Sequence, residues 1–294
     1  MRQHRWKTLF GIVITVALLA WVLRDVSAAE VWHELRDADP LWLVASVVIA
    51  TFSMVLRAIR WRILLEPVEP NTSFDSRFGA VCIGFAVNNL LPARLGEITR
   101  AFAISKTEPI PLSASVASLV VERILDGVVL AIFLFATISS PGFPLGEGTT
   151  AELIRRTANI GAIAFSIGLG LLWLAARNPI RAVELSDRTI GRLLPDRFSA
   201  KASNVAGAFV AGLGALARPG VFLRALFWTF VVWIDLSLSI WAGIMAFGIT
   251  GPGVSGSLFL QSVIAFAVAA PSSPGFFGVF AVSYTHLRAH ETYI

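Results

Sequence analysis

The chain has 294 residues, 56% hydrophobic and 15% charged, with a mean hydropathy of +0.74 and a net charge of +5. A soluble domain carries roughly 25% charged residues, and a chain this apolar cannot cover itself with polar surface. The composition therefore excludes a soluble globular protein. The basic excess lies in segments between apolar runs, the pattern that orients helices in a bilayer, and so does not point to nucleic acid.

Residues 8–23 are apolar and follow Arg2, Arg5 and Lys7, which predicts a first span. Val26, Ser27 and Ala28 offer a signal-peptidase site, so a cleaved signal peptide is the alternative; the length of the run favours an uncleaved span. Residues 24–40 hold Arg24 and Arg36 against Asp25, Glu30, Glu34, Asp37 and Asp39, the balance expected of an external loop. Residues 41–56 form the second predicted span, ending in Arg57, Arg60 and Arg62, and a loop with Pro67, Pro70 and Asn71 follows. Residues 78–91 are apolar but number only 14, contain Gly84, Asn88 and Asn89, and stop at Pro92. A full span needs about 20 residues, so this run reads as a short, broken or re-entrant helix.

Residues 112–138 are again apolar but carry Glu122, Arg123 and Asp126. A Pro/Gly loop occupies 139–157, and 158–176 is another span. Residues 177–224 are rich in arginine and include a small-residue amphipathic stretch at 203–217. Residues 225–247 form a span with Asp235 at its middle. A second short apolar run, 258–270, is broken by Pro271-Ser272-Ser273-Pro274-Gly275. The last residues, 283–294, hold both tyrosines of the chain and two of its four histidines. They resemble translated sequencing adapter, so residues 1–282 are taken as the membrane domain and 283–294 as a non-native tail. The natural chain is expected to continue past Val282.

The distribution of basic residues sets the expected topology. With the amino terminus cytoplasmic and 78–91 re-entrant, the cytoplasmic segments hold 18 Lys/Arg and the external loops four. If 78–91 spanned fully, Arg94, Arg100 and Lys106 would move outside and the 177–224 cluster would follow, so the re-entrant arrangement obeys the positive-inside rule better. A multi-pass protein of the cytoplasmic membrane is expected. A weak internal match pairs Ile83-Gly84-Phe85-Ala86-Val87 with Ile264-Ala265-Phe266-Ala267-Val268. Two short broken segments entering from opposite sides are the sequence sign of an inverted-repeat transporter. The expected fold class is accordingly all-α: a polytopic helical bundle with two short broken helices.

Glu122 lies about 15 Å along its helix from Leu112 at 1.5 Å per residue, close to mid-bilayer. A charge there costs at least ~2.5–3.5 kcal/mol, so Glu122, Arg123 and Asp126 are expected to face the protein interior. Their spacing of three and four lets them meet on one face. They read either as a headgroup site, with Arg123 on a phosphate, or as an ion pair locking helices together. In the string Asn88-Asn89-Leu90-Leu91-Pro92-Ala93-Arg94-Leu95-Gly96-Glu97, with Arg100, Pro92 and Gly96 break the helix. The freed backbone groups then fall to Asn88, Asn89 or water. Arg94 and Arg100 stand where anionic phosphates would approach. Asp235 reads as a hydrogen-bonding or proton-coupling carboxylate, and Trp228, Trp233 and Trp241 as packing residues. Cys82 is the only cysteine, so an internal disulfide and a cysteine metal cluster are excluded. No nucleophile–base pair, Walker string or metal motif is present, and neither cofactor nor metal is expected.

Three strings, namely residues 88–97 with Arg100, Val121-Glu122-Arg123-Ile124-Leu125-Asp126, and Pro271-Ser272-Ser273-Pro274-Gly275 with Gly278 and Phe280, resemble the membrane region of the lysylphosphatidylglycerol synthase/flippase-like family. The resemblance spans most of residues 1–282. It implies an α-helical lipid-translocation domain, fused in some members to a soluble aminoacyltransferase that these residues do not include, so synthase activity is not carried over. Phe276 stands where the family commonly has a second glycine. The expected function is translocation of an anionic phospholipid or polyprenyl-linked lipid without intrinsic chemistry, beside a glycosyltransferase or aminoacyltransferase partner. The alternatives are an intramembrane transferase, with Glu122, Asp126 or Asp235 as base, and a structural membrane subunit.

Overall fold

The computed structural model of the chain describes residues 28–90, 95–140, 149–193, 196–251 and 253–269. Among the described residues there are eleven helices and no strand. They are α1 (Ala28–Asp37), α2 (Pro40–Leu65), α3 (Phe74–Leu90), α4 (Leu95–Thr107), α5 (Leu112–Ile138), α6 (Thr149–Arg177), α7 (Pro179–Leu193), α8 (Asp196–Gly212), α9 (Gly214–Ala217), α10 (Pro219–Ala246) and α11 (Gly253–Ala269). The fold is an all-α membrane bundle. Pro40–Leu65, Asn159–Arg177 and Pro219–Ala246 are long and apolar enough to cross a membrane. Helix α5 is as long, but Glu122, Arg123 and Asp126 lower its hydropathy. The predicted first span, the break at 271–275 and the tail lie outside the described residues.

Helix α2 starts where Asp39 accepts a hydrogen bond from the Leu41 amide at 2.8 Å and Pro40 supplies a preset first turn. It runs antiparallel to α10. The Asp39 amide donates to the Ala246 carbonyl at 2.8 Å at one end, and Arg224 donates to Glu66 at 3.0 Å at the other. Between them the Ser46 and Ser239 hydroxyls each donate to the other residue's carbonyl, at 2.8 and 2.9 Å. Small hydroxyl residues let the two backbones approach while satisfying polar groups that lipid cannot. The outer faces are apolar: Val44, Val47 and Phe52 of α2, Ile160, Ile163 and Leu171 of α6, and Leu223 and Phe227 of α10 are exposed. Such a surface would drive aggregation in water and is ordinary against acyl chains.

Helices α3 and α4 form a tight antiparallel hairpin. At its base the Ser73 amide donates to Glu108 Oε1 at 3.0 Å, and towards its tip the Gly96 amide donates to Asn88 Oδ1 at 2.8 Å. The arms cross at Gly84 and Gly96. A Cβ on Gly84 would lie 2.9 Å from the Gly96 carbonyl oxygen and 3.0 Å from Arg100 Cβ, so only glycine permits this approach. Arg77 fastens the base to α2 through a 3.1 Å bond from Nε to the Ala58 carbonyl. Because Ser73 and Glu108 lie together, the segment returns to the end of the bundle it left, as a re-entrant element does.

Two sequence expectations need correction, and one helix went unassigned. Leu95–Thr107, counted only as part of a basic cytoplasmic segment, is helical, with Gly96, Arg100, Ala101 and Ile104 buried along one face. The second span does not end at residue 56, since Ile63, Leu64 and Leu65 continue the buried face of α2 past the arginines. Residues 28–37, within the predicted acidic loop, form a short helix.

Candidate functional site

The polar residues of α5 face inward and meet arginines from two other elements. Glu122 is fully buried, and its Oε1 lies 2.9 Å from Arg60 Nη2, 2.8 Å from Arg100 Nη1 and 2.6 Å from Arg123 Nη2. Arg100 also donates from Nη2 to Glu122 Oε2 at 3.1 Å, completing a two-bonded fork. Asp126 Oδ1 accepts from Arg60 Nη1 at 2.5 Å and from Trp233 Nε1 at 2.8 Å, while Asp126 Oδ2 lies 3.1 Å from Arg123 Nη2. The network joins α2, α4, α5 and α10 in one contiguous cluster.

Aromatic rings and hydroxyls close its margins. The Arg100 guanidinium lies over the Trp61 ring, 3.9 Å from its centroid, and Trp61 Nε1 donates to Ser118 at 2.9 Å. Thr229 stands 3.4 Å from Arg60 Nη1. Arg123 is the exposed member, with its side chain 38% accessible and Nε 3.7 Å from Glu97 Oε1. Weakly hydrated, planar guanidinium groups suit such a dry site better than lysine would. With the carboxylates each shared between two or more cations, the charges offset one another inside the bundle rather than facing lipid.

The structure brings Glu97, Arg100, Glu122, Arg123 and Asp126 together, and seats Asn88 and Gly96 at the hairpin crossing. Asn89 lies on the same arm and is exposed. Asp235 is half-buried on α10 outside the network, and its Oδ2 has no hydrogen-bond partner among the described residues. Pro92, Arg94, Ser272, Ser273, Pro274 and Gly275 lie outside the described residues. Sequence reasoning missed Arg57 and Arg60, treated as the basic end of a span, and Trp233, treated as packing. The available signal was spacing: Ser53, Arg57, Arg60, Trp61 and Leu64 share one helical face, and apolar residues resume after Arg62.

Away from the charges, a cleft of about 390 Å³ opens between α5, α6 and the α9–α10 junction. It is lined by Val128, Ser166, Leu169, Gly170, Trp173, Leu216, Pro219 and Phe222. No ionisable residue lines it, so it suits hydrocarbon, not a headgroup. Among the described residues no group of His, Cys, Asp and Glu could hold a metal ion.

An all-helical bundle with an apolar exterior and a largely buried network of arginines and carboxylates defines a multi-pass membrane protein. The chain belongs to the family of the lysylphosphatidylglycerol synthase TM region, whose pattern matches residues 8–289. It is 29% identical to Glycosyltransferase AglD of Haloferax volcanii over 95% of this chain and 48% of that protein. It is 26% identical to a UPF0104 membrane protein of Methanocaldococcus jannaschii, over 47% of this chain and 40% of that one. A UPF0104 membrane protein of Methanothermobacter thermautotrophicus is 30% identical over 39% of this chain and 35% of its own length. The chain thus spans about half or less of the curated relatives it matches. No solved structure matches it.

Proposed function

We propose that this chain is a lipid-handling membrane domain that moves an anionic phospholipid or a polyprenyl-linked lipid across the cytoplasmic membrane without altering it. The observation that carries this reading is the buried network itself, placed beside a hairpin that enters the bundle and returns. A scaffold has no use for three clustered arginines beside a broken helix, whereas a headgroup crossing a bilayer needs polar surface at depth. In this reading Asn88, Asn89, Pro92, Arg94, Gly96 and Glu97 form the entrance, and Arg100, Glu122, Arg123 and Asp126 the polar wall. Asp235, Ser272, Ser273, Pro274 and Gly275 are the further polar and helix-breaking residues assigned to the path, and acyl chains occupy apolar clefts such as the one beside Trp173.

The amino terminus is cytoplasmic in this proposal. Four of the eighteen basic residues assigned to that side, Arg57, Arg60, Arg77 and Arg100, prove to be buried. Even with these four left out of the count, fourteen basic residues are assigned to that side against four opposite, which supports the proposed orientation. A second reading follows from the first relative named above, a glycosyltransferase by name: the domain presents a lipid-linked substrate to a sugar-transferring partner, or takes part in the transfer.

Purified protein in liposomes, with labelled phosphatidylglycerol or polyprenyl phosphate, tests both. Transfer should exceed that of protein-free liposomes, fall sharply for Arg94→Ala and Arg123→Ala, and persist for Ile132→Ala, a change on an exposed apolar face. Rates equal to those of empty liposomes for every lipid would leave a structural role. A chemically altered lipid would establish a transferase.

A further inference from the structure

Among the buried arginines, Arg57 has neither an ion pair of the network nor the backbone hydrogen bonds that hold Arg77. Arg57 is 5% exposed, one turn before Arg60 on α2, and its Nε, like those of Arg60, Arg100 and Arg123, has no hydrogen-bond partner among the described residues. Among the described residues no carboxylate oxygen lies within 4 Å of its guanidinium, although every other arginine of the cluster has at least one. Its immediate surroundings are aromatic. The guanidinium carbon lies 4.9 Å from the Phe85 ring centroid on the hairpin and 5.7 Å from the Trp233 ring on α10. Arg57 therefore sits where α2, the re-entrant hairpin and α10 converge, one helical turn from the ion pairs.

Ring faces stabilise a cation but accept no conventional hydrogen bonds, so they leave the buried Nε–H of Arg57 without an acceptor. A buried donor without a partner in a native protein calls for a physical reason. Asp235 does not provide it. That carboxylate belongs to the same stretch of the α2–α10 pair, between the Ser46–Ser239 and Arg60–Thr229 contacts, and Arg57 is the one charge acting on it appreciably. It nevertheless remains beyond ion-pair distance, with Oδ2 unpartnered. Arg57 is thus a desolvated, planar, permanently charged fork held between two rings, the arrangement that binds a two-oxygen anion.

We propose that Arg57, rather than Arg100 or Arg123, holds the phosphate of an anionic ligand in this domain. The proposal deepens the lipid-handling reading and rests on it for the choice of ligand; its chemistry, a phosphate oxygen pair on a guanidinium fork, is shared by lipid headgroups and by soluble phosphates. Arg100 and Arg123 are committed to Glu122, Asp126 and Glu97. Recruiting either for a ligand would break ion pairs already made, whereas recruiting Arg57 breaks none.

The test uses the full chain in neutral detergent, with thermal melting and equilibrium binding as readouts. The probes are dioctanoyl phosphatidylglycerol, glycerol 3-phosphate and uncharged dioctanoylglycerol. The wild type should bind and be stabilised by a phosphate-bearing probe and not by dioctanoylglycerol. Arg57→Gln should weaken that binding on the order of thirtyfold, the effect of removing one partner of a buried charged contact. Without a probe, Arg57→Gln should melt at or above the wild-type temperature, because it removes a buried charge with no described carboxylate at ion-pair distance, whereas Arg60→Gln should melt well below it. Preference for the lipid over glycerol 3-phosphate assigns a headgroup, and the reverse a soluble phosphate. Unchanged binding in Arg57→Gln, or a melting loss matching that of Arg60→Gln, overturns the proposal. The liposome assay separates it from the parent reading. Arg57-dependent binding without lipid movement defeats only translocation, and wild-type transfer by Arg57→Gln defeats only this inference.

Discussion

Arg100 grips Glu122 with two parallel hydrogen bonds, Nη1 to Oε1 at 2.8 Å and Nη2 to Oε2 at 3.1 Å, and so ties the hairpin to α5 inside the bundle. Replacing Glu122 leaves Arg100 without a carboxylate, and replacing Arg100 takes both hydrogen bonds of the fork from Glu122. Arg100→Leu should destabilise the protein by about 3–5 kcal/mol, and Arg100→Leu/Glu122→Leu should differ from the sum of the single changes by at least ~1 kcal/mol. A double-mutant cycle in detergent melting measures this, and strict additivity would dismiss the pairing.

The same chemistry ranks the partners of Asp126. Arg60 is sealed and touches both carboxylates of α5, while Arg123 is 38% accessible and water can replace part of what it loses. Arg60→Leu should therefore cost about 3–5 kcal/mol and Arg123→Leu closer to 1 kcal/mol. Equal melting losses for the two variants would refute the ranking.

The hairpin crossing makes a steric prediction. A methyl group on Gly96 would overlap the Gly84 carbonyl oxygen and come 2.5 Å from Asn88 Oδ1, whereas one on Gly79 meets nothing within 4 Å. Gly96→Ala should cost about 1–3 kcal/mol as the arms are forced apart, and Gly79→Ala should be neutral or slightly stabilising. Limited proteolysis near the hairpin tip, compared between the two variants, reads the opening directly.

Acid should loosen the hairpin base. Glu108 lies outside the spanning helices. Partial burial pushes its carboxyl upward, but hydrogen bonds from the Ser73 amide and the Ser76 and Ser73 hydroxyls, with the nearby Arg77 charge, outweigh that and hold it below its ordinary value of 4.5. A depressed folded-state value means the contribution is complete above that ordinary value and lost as pH falls through the lower one. Melting of the wild type should decline over that acidic window more steeply than melting of Glu108→Gln. Parallel acid limbs would discount the clasp.

Orientation can be checked by labelling. In a Cys82→Ala background, single cysteines at positions 150 and 188 are treated with an impermeant maleimide on intact cells. Labelling at 150 and not at 188 is expected; the reverse pattern would invert the proposed topology.

Much of this architecture was legible from residue order because bilayers impose simple rules. Leu112–Ile138 was delimited by its apolar run, and the 14-residue length of 78–91 together with Pro92 pointed to a segment that turns back. The inward placement of Glu122 and Asp126 followed from the cost of charge in hydrocarbon. Arg57 and Arg60 escaped because an arginine after an apolar run reads as an interfacial anchor; Arg60 is buried against carboxylates 62 and 66 positions later and Arg57 against the rings of Phe85 and Trp233, distances over which local patterns carry no information. Helix α4 escaped for a related reason: Arg100 and Lys106 resemble loop charges until Glu122 is seen to receive one of them. Trp233 read as packing because an indole donates only one hydrogen bond, and nothing nearby in sequence accepts it.

Glu122 Oε1 has a consequence for movement. This single oxygen is within 2.9 Å of guanidinium nitrogens from α2, α4 and α5. If the hairpin slides and withdraws Arg100, Arg60 and Arg123 continue to compensate the carboxylate, and the departing guanidinium still has the Trp61 face to travel across. The arrangement behaves as a bearing: redundancy at one atom lets a charged element shift without ever exposing an unopposed ion to the hydrocarbon. An interior with one cation for each anion would have to break before it could turn.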